Sequence, residues 1–131
     1  MKLNPKCIRD ILIVLEDTVT DAGVTYSINE WEELQEDSPL SEYSVNEIAY
    51  HFQQIYLSGY LYNGEIYSNG MSFMDITPEA HTLLANMRIP AVFKALEKFV
   101  GIAGSASIGQ LAEVATQAGI AVIPGLLGLG K

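Results

Sequence analysis

SVNEIAYHFQQIYLSGYLYNGEIYSNGMSFMDI, residues Ser44 to Ile76, decides the fold. Its first half has the period of a helix. Ser44-Val45-Asn46-Glu47 is a capping box, in which the serine oxygen takes a free backbone N–H and the glutamate reaches back to the cap. Ile48, Phe52 and Ile55 follow at spacings of four and three, an apolar stripe that faces a core. Gly59 supplies the stop, so the helix is expected from Ser44 to about Ser58. The second half has the composition of strands. Tyr60-Leu61-Tyr62 runs into Asn63-Gly64, a strong tight-turn signal, and Glu65-Ile66-Tyr67 runs into a second, Ser68-Asn69-Gly70. Met71 to Ile76 reads as the last strand. A helix thus leads directly into a small hairpin, or wing.

Upstream, Asn4-Pro5 reads as an N-cap with proline at the first helical position. Ile8, Ile11, Leu12 and Leu15 then mark one stripe. Val24 to Ile28 reads as a short strand beside the hairpin, and Glu30 to Leu40 as an acidic loop or short helix. Downstream, Thr77-Pro78 opens a helix to about Met87. Pro90 opens another, from Ala91 to about Val100, broken by Gly101 and Gly104. Ser107-Ile108-Gly109-Gln110 is a second capping box. Behind it Ile108, Leu111, Ala115, Ala118 and Val122 form a heptad-like seam, which Pro124 ends. The expected architecture is α+β: a winged helix-turn-helix-like domain over residues 1–100 and a C-terminal apolar helical tail over 101–131. The seam is expected to join two copies in a homodimer; packing on the first helix of its own chain is the alternative.

Charge divides the chain more sharply than hydropathy does. No Lys or Arg lies between Arg9 and Arg88, and that stretch holds fourteen of the sixteen acidic residues. The net charge of −9 is therefore an acidic middle set between basic ends. Such a middle disfavours general binding to nucleic acid or anionic membrane, both of which need clustered cations. A single cysteine, Cys7, excludes an intramolecular disulfide. The opening residues do not read as a secretory signal, so a cytoplasmic location is expected. Phe99 to Gly130 is apolar, but Ser105, Ser107, Gln110, Glu113, Thr116 and Gln117 interrupt the run of about 20 residues that a membrane span needs.

Three further strings carry a resemblance. They are Met1-Lys2-Leu3-Asn4-Pro5-Lys6-Cys7-Ile8-Arg9-Asp10-Ile11-Leu12, Glu47-Ile48-Ala49-Tyr50-His51 with Leu57-Ser58-Gly59-Tyr60-Leu61, and Asp75-Ile76-Thr77-Pro78-Glu79-Ala80-His81 with Leu83, Leu84 and Met87-Arg88. Together they resemble an uncharacterised family of small phage and prophage proteins of Gram-positive bacteria, a domain of unknown function with a winged-helix-like fold. The resemblance covers residues 1–98. It departs at Ala80, where the family has Gly, at Phe93, where it has Trp, and at Ser58, where it has Ala. It implies a mobile-element setting and a winged helix, and it brings no activity.

The middle helix would then be the recognition helix, with Glu47, Tyr50 and Gln54 on its outer face and Asn46 and Gln53 nearby. Asn and Gln can read adenine in the major groove. Phosphate contacts supply most of the affinity, however, and this helix and its wing carry no Lys or Arg. Glu47 and Glu65 would repel phosphate; only Lys2, Lys6 and Arg9 could help. All seven tyrosines lie in the acidic middle, and Tyr is enriched at protein interfaces. The expected function is protein–protein interaction with a basic partner, modulating a host or phage regulator or a defence factor. Glu47, Tyr50, Gln54, Glu65 and Tyr67 are the expected contacts. The alternative is a DNA-binding transcriptional regulator that uses Lys6 and Arg9 on the backbone. Two histidines and one cysteine without short spacing make a poor metal set, so neither metal nor cofactor is expected. His51, beside Phe52, reads as structural, and His81 as locally bonded. Cys7 lies near a helix start beside Lys6 and Arg9, which favours a thiolate, but no base or resolving cysteine is near, and a buried inert thiol is the reading. No enzyme is expected.

Overall fold

The computed structural model describes residues 1–36 and 39–126, with side chains to residue 121. Its helices are α1 (Pro5–Thr18), α2 (Glu32–Gln35), α3 (Val45–Leu57), α4 (Pro78–Met87), α5 (Pro90–Ala103) and α6 (Ile108–Leu126), with a 3-10 turn at Leu40–Glu42. Its strands are β1 (Tyr26–Ile28), β2 (Leu61–Tyr62), β3 (Glu65–Ile66), β4 (Met71–Phe73) and β5 (Asp75–Ile76). The fold is α+β.

Side chains near the helix starts explain where the longer helices begin. Asn4 accepts the Lys6 N–H at 3.0 Å, with Pro5 as the first helical residue of α1. At α3, Ser44 Oγ accepts the Glu47 N–H at 3.1 Å while Glu47 Oε1 accepts the Ser44 N–H at 3.2 Å. The same exchange between Ser107 and Gln110 opens α6. Each box occupies two backbone donors that a helix start would otherwise leave unpaired.

α1 is the central strut. Its stripe of Ile8, Ile11, Leu12 and Leu15 is fully buried and meets α3, α4, α5 and β5. Ile48, Phe52 and Ile55 face it from α3, and Phe73 and Ile76 close the core from the strands.

The strands form one hairpin with a flanking strand. Leu61 lies opposite Ile76 and Tyr62 opposite Asp75; further out, Glu65 lies opposite Ser72 and Ile66 opposite Met71. The two rungs keep one register, so β2–β3 and β4–β5 are the arms of a single interrupted hairpin. β1 pairs antiparallel with the outer side of β4. The chain reverses at Ser68-Asn69, closed by the Tyr67 N–H donating to the Gly70 carbonyl at 2.8 Å. Asn63-Gly64, read from sequence as the first turn, is instead a kink within one arm. Asn63 adopts φ 49, and a Cβ on Gly64 would lie 2.7 Å from the Leu61 Cβ. The Asn-Gly pair reports left-handed backbone and close packing here, not a reversal.

Two expectations about the C-terminal third are corrected. Gly101 does not break α5, which runs to Ala103 and stops at Gly104 with φ +81. The heptad-like seam does not face a second copy. Ile108, Leu111 and Ala115 are buried in this chain's own core, and Ala118 packs against that core. The main partners of α6 are α5 and α4. Small residues let α6 approach closely: a Cβ on Gly119 would lie 3.0 Å from Asn86 Oδ1. Through residue 121 the tail thus belongs to the same core as residues 1–100. The helix also continues past Pro124 to Leu126, although proline forfeits one backbone bond within a helix; the side chain of Val122 lies outside the described residues. Among the described residues no helix is long and apolar enough to cross a membrane.

Candidate site between the third helix and the hairpin

A groove of about 480 Å³ lies between the outer flank of α3 and the hairpin tip. Asn46, Ala49, Tyr50 and Gln53 line it from α3, at the spacing of one helical flank. Ile66, Tyr67 and Ser68 line it from the hairpin, with Trp31 and Met1 completing it. A second depression of about 370 Å³ shares Trp31, Asn46, Ala49 and Ser68 and ends at Glu30 and Glu32. The two adjoin across these shared residues, and together they make a trough lined by aromatic rings and amides, acidic at one end and with no Lys or Arg in its lining.

Trp31 fixes this geometry. Its Nε1–H donates to the Ser68 carbonyl at 3.1 Å and its backbone N–H to the Asn69 carbonyl at 2.9 Å, so both hold the hairpin turn. Its ring lies 5.1 Å from that of Phe52 on α3. With 4% of its surface exposed, the indole is the rivet between helix and hairpin.

The expected contact residues separate. Tyr50 and Tyr67 both line the trough. Glu65 stands beside it and accepts the Tyr67 hydroxyl at 2.7 Å. Glu47 is engaged elsewhere, its carboxylate in the Ser44 cap, and Gln54 lies on the same flank as Glu47, off the trough. Asn46 and Gln53 take their place. Trp31 was the residue sequence reading missed. The signal available was a large apolar side chain, the only Trp of the chain, stranded among acids.

The seven tyrosines also divide. Tyr43 is buried, and its hydroxyl donates to Asp10 Oδ2 at 2.7 Å. Burial and then the Asp10 bond push that phenol's pKa upward. Tyr60 is buried too, whereas Tyr62 and Tyr67 are exposed and Tyr50 is half-buried. The Tyr26 hydroxyl accepts the N–H groups of Thr20 and Asp21.

The first-helix cations are already engaged. Lys6 pairs with Glu42. The Arg9 guanidinium stacks 4.0 Å from the Phe93 ring centre and lies 3.4 Å from Asp10. Arg88 holds Glu16 at 2.9 Å, and His81 Nδ1 lies 3.0 Å from the same carboxylate. His81 is thus tied to α1 across the fold as well as locally, where its Nε2 lies 3.8 Å from Asp75 Oδ1. Burial alone would raise the Glu16 pKa, but the bonds from His81 and Arg88 outweigh it and hold it below the ordinary range.

His51 is 1% exposed. Its Nδ1 lies 2.6 Å from the Glu47 carbonyl and so must donate; its Nε2 accepts the Asn4 N–H at 2.9 Å. The neutral ring therefore ties the start of α1 to α3. Burial lowers its pKa below 6.5, against the raising effect of the Glu47 carbonyl. A protonated ring could not accept from Asn4. The unfolded chain takes up a proton below about 6.5 while the native chain resists it, so stability falls with pH in that window. Urea unfolding should show a loss between pH 7 and pH 5 that His51→Gln flattens. An unchanged slope in that variant would assign the loss to other groups; the Glu16 contribution enters only below the ordinary carboxylate range.

Cys7 is buried, and burial followed by the charges of Glu47, Asp10 and Glu42 pushes its thiol up to about 12. Lys6 and Arg9 do not activate it. Among the described residues no cluster of three or more His, Cys, Asp or Glu could hold a metal, and no buried side-chain N or O atom lacks a partner. Comparison with family models, curated proteins and solved structures finds no match.

Proposed function

We propose that this chain is a winged-helix-like protein that acts by holding another protein, with α3 as recognition helix, the β3–β4 hairpin as wing and the trough between them as the contact surface. The observation that carries this reading is the lining of the trough. Tyr50 and Tyr67 supply interface aromatics, Asn46 and Gln53 supply hydrogen bonds, and Glu30 and Glu32 supply charge. A basic partner would be steered to such a surface. Duplex DNA would meet repulsion there, and Lys6 and Arg9, the cations a DNA-binding reading needs, are held by Glu42 and by Phe93 with Asp10. The sequence resemblance implies a phage or prophage setting, and in that setting the partner to seek would be a basic regulator or defence factor of phage or host. His51 in a structural tie and His81 on Glu16 support a binding role over a catalytic one.

The test is fluorescence anisotropy of labelled duplexes, including the gene's own upstream region, titrated with the full chain at low and moderate salt. No binding is expected even at low salt, where phosphate attraction is greatest. Salt-sensitive binding at micromolar protein, abolished by Asn46→Ala with Gln53→Ala, would replace this proposal with a DNA-binding regulator.

A further inference from the structure

We infer that the trough between α3 and the hairpin takes an arginine side chain of the protein partner, its guanidinium seated against Tyr50 and Tyr67. This rests on reading the trough as a protein-binding site, and it names the group that site selects. Two features converge on a planar cation. The first is aromatic. Tyr50 and Tyr67 line the trough from opposite elements, and a cation over an aromatic face is attracted by the ring quadrupole. Glu65 accepts the Tyr67 hydroxyl at 2.7 Å, which adds electron density to that ring. The second is hydrogen bonding. The side-chain carbonyls of Asn46 and Gln53 sit on the α3 flank as acceptors, and the carboxylates of Glu30 and Glu32 close the far end. A guanidinium offers five donors and a flat face that stacks, whereas an ammonium is compact and strongly hydrated. No Lys or Arg of this chain lines the trough; the cationic group among its lining residues is the α-amino group of Met1, at the end away from Glu30 and Glu32.

The chain carries its own reporter, because its only tryptophan lines the trough. The experiment is titration of full-length protein with a blocked arginine–glycine peptide, its lysine counterpart and its citrulline counterpart, followed by Trp31 fluorescence. Citrulline keeps the shape of arginine and removes the charge. Saturable binding is expected for the arginine peptide, weaker binding for lysine and none for citrulline. Tyr50→Ala with Tyr67→Ala should weaken the arginine peptide by about fivefold or more while leaving the net charge unchanged. Should that double variant lose its fold by circular dichroism, Tyr67→Ala alone serves, since Tyr67 is 54% exposed; about twofold weakening is then expected. Equal binding of citrulline and arginine peptides, or full arginine affinity in a folded tyrosine variant, would overturn the inference, the latter by showing attraction to diffuse negative charge. Failure of the wider reading looks different: it is duplex binding that depends on Asn46 and Gln53, whatever the peptides do.

Discussion

Trp31→Ala should lower the unfolding free energy by roughly 3 to 5 kcal/mol, the range for truncating a buried Trp in a core. The indole is 4% exposed, stacks on Phe52 and donates to the Ser68 carbonyl at 3.1 Å. Truncation removes all three contributions: the buried area, the ring pair and a bond to a turn that has few others. The backbone bond from residue 31 to Asn69 survives in the variant, so the turn keeps one tether. Against a usual total of about 5 to 15 kcal/mol, the loss is large enough to read directly as a shift in the urea midpoint. Trp31→Phe separates the parts. It keeps an aromatic ring against Phe52 and loses the N–H, so about 1 kcal/mol should go. An alanine variant within about 1 kcal/mol of wild type would mean that the indole merely covers the trough; the hairpin would then be positioned by the β-ladder alone.

Trp31 also marks the boundary between what the chain shows locally and what it does not. Helix starts were legible because their signals are local: Ser44 and Glu47 are three residues apart, as are Ser107 and Gln110, and each pair makes the bonds its spacing implies. Apolar stripes were legible for the same reason. Trp31 instead finds its partner at Ser68, 37 residues on, and nothing in Glu30 to Glu36 has a period that points there. The same limit explains the seam from Ile108 to Ala118. Its spacing showed that one face of α6 must be buried, but a heptad pattern is equally satisfied by a second copy or by α4 and α5 of the same chain. For His81 only the local neighbour, Asp75, was within reach of the sequence; its closer carboxylate, Glu16, is 65 residues away.

The candidate site was legible in part. The tyrosine-bearing, acidic character of the α3–hairpin face was visible in the sequence, and Tyr50 and Tyr67 both line the trough there. Of the two roles read for Glu47, the structure shows the cap: one carboxylate oxygen accepts the Ser44 N–H, and the residue is not among those lining the trough. Gln54 does not line the trough, because a helix has two flanks beside its buried stripe. Only the hairpin's position, fixed through Trp31, selects the flank carrying Asn46 and Gln53.

Gly70→Ala should be the most damaging glycine-to-alanine change among the described residues, for a reason specific to the hairpin. A Cβ at residue 70 would lie 1.9 Å from the Ile28 carbonyl oxygen and 2.9 Å from its carbon. Both are backbone atoms of the strand end that pairs with β4, so no side-chain rotation can relieve the clash. Either β1 leaves β4, or the turn at Ser68-Asn69 shifts and carries Tyr67 and the Trp31 tether with it. A loss of about 3 kcal/mol or more is expected, at the level of strongly disruptive substitutions. Gly23→Ala is the control. Gly23 has φ +78 with nothing within 4 Å of its would-be Cβ, so that change costs only the left-handed backbone penalty of about 1 to 2 kcal/mol. Urea unfolding of both variants, with Trp31 fluorescence as the probe, separates close approach from backbone strain. Gly70→Ala should unfold at clearly lower denaturant than Gly23→Ala, and its native spectrum should shift red as water reaches the indole. If the two midpoints coincide, the β1 contact does not hold the hairpin. The trough would then owe its shape to Trp31 and Phe52, and the arginine peptide should still bind a folded Gly70→Ala protein.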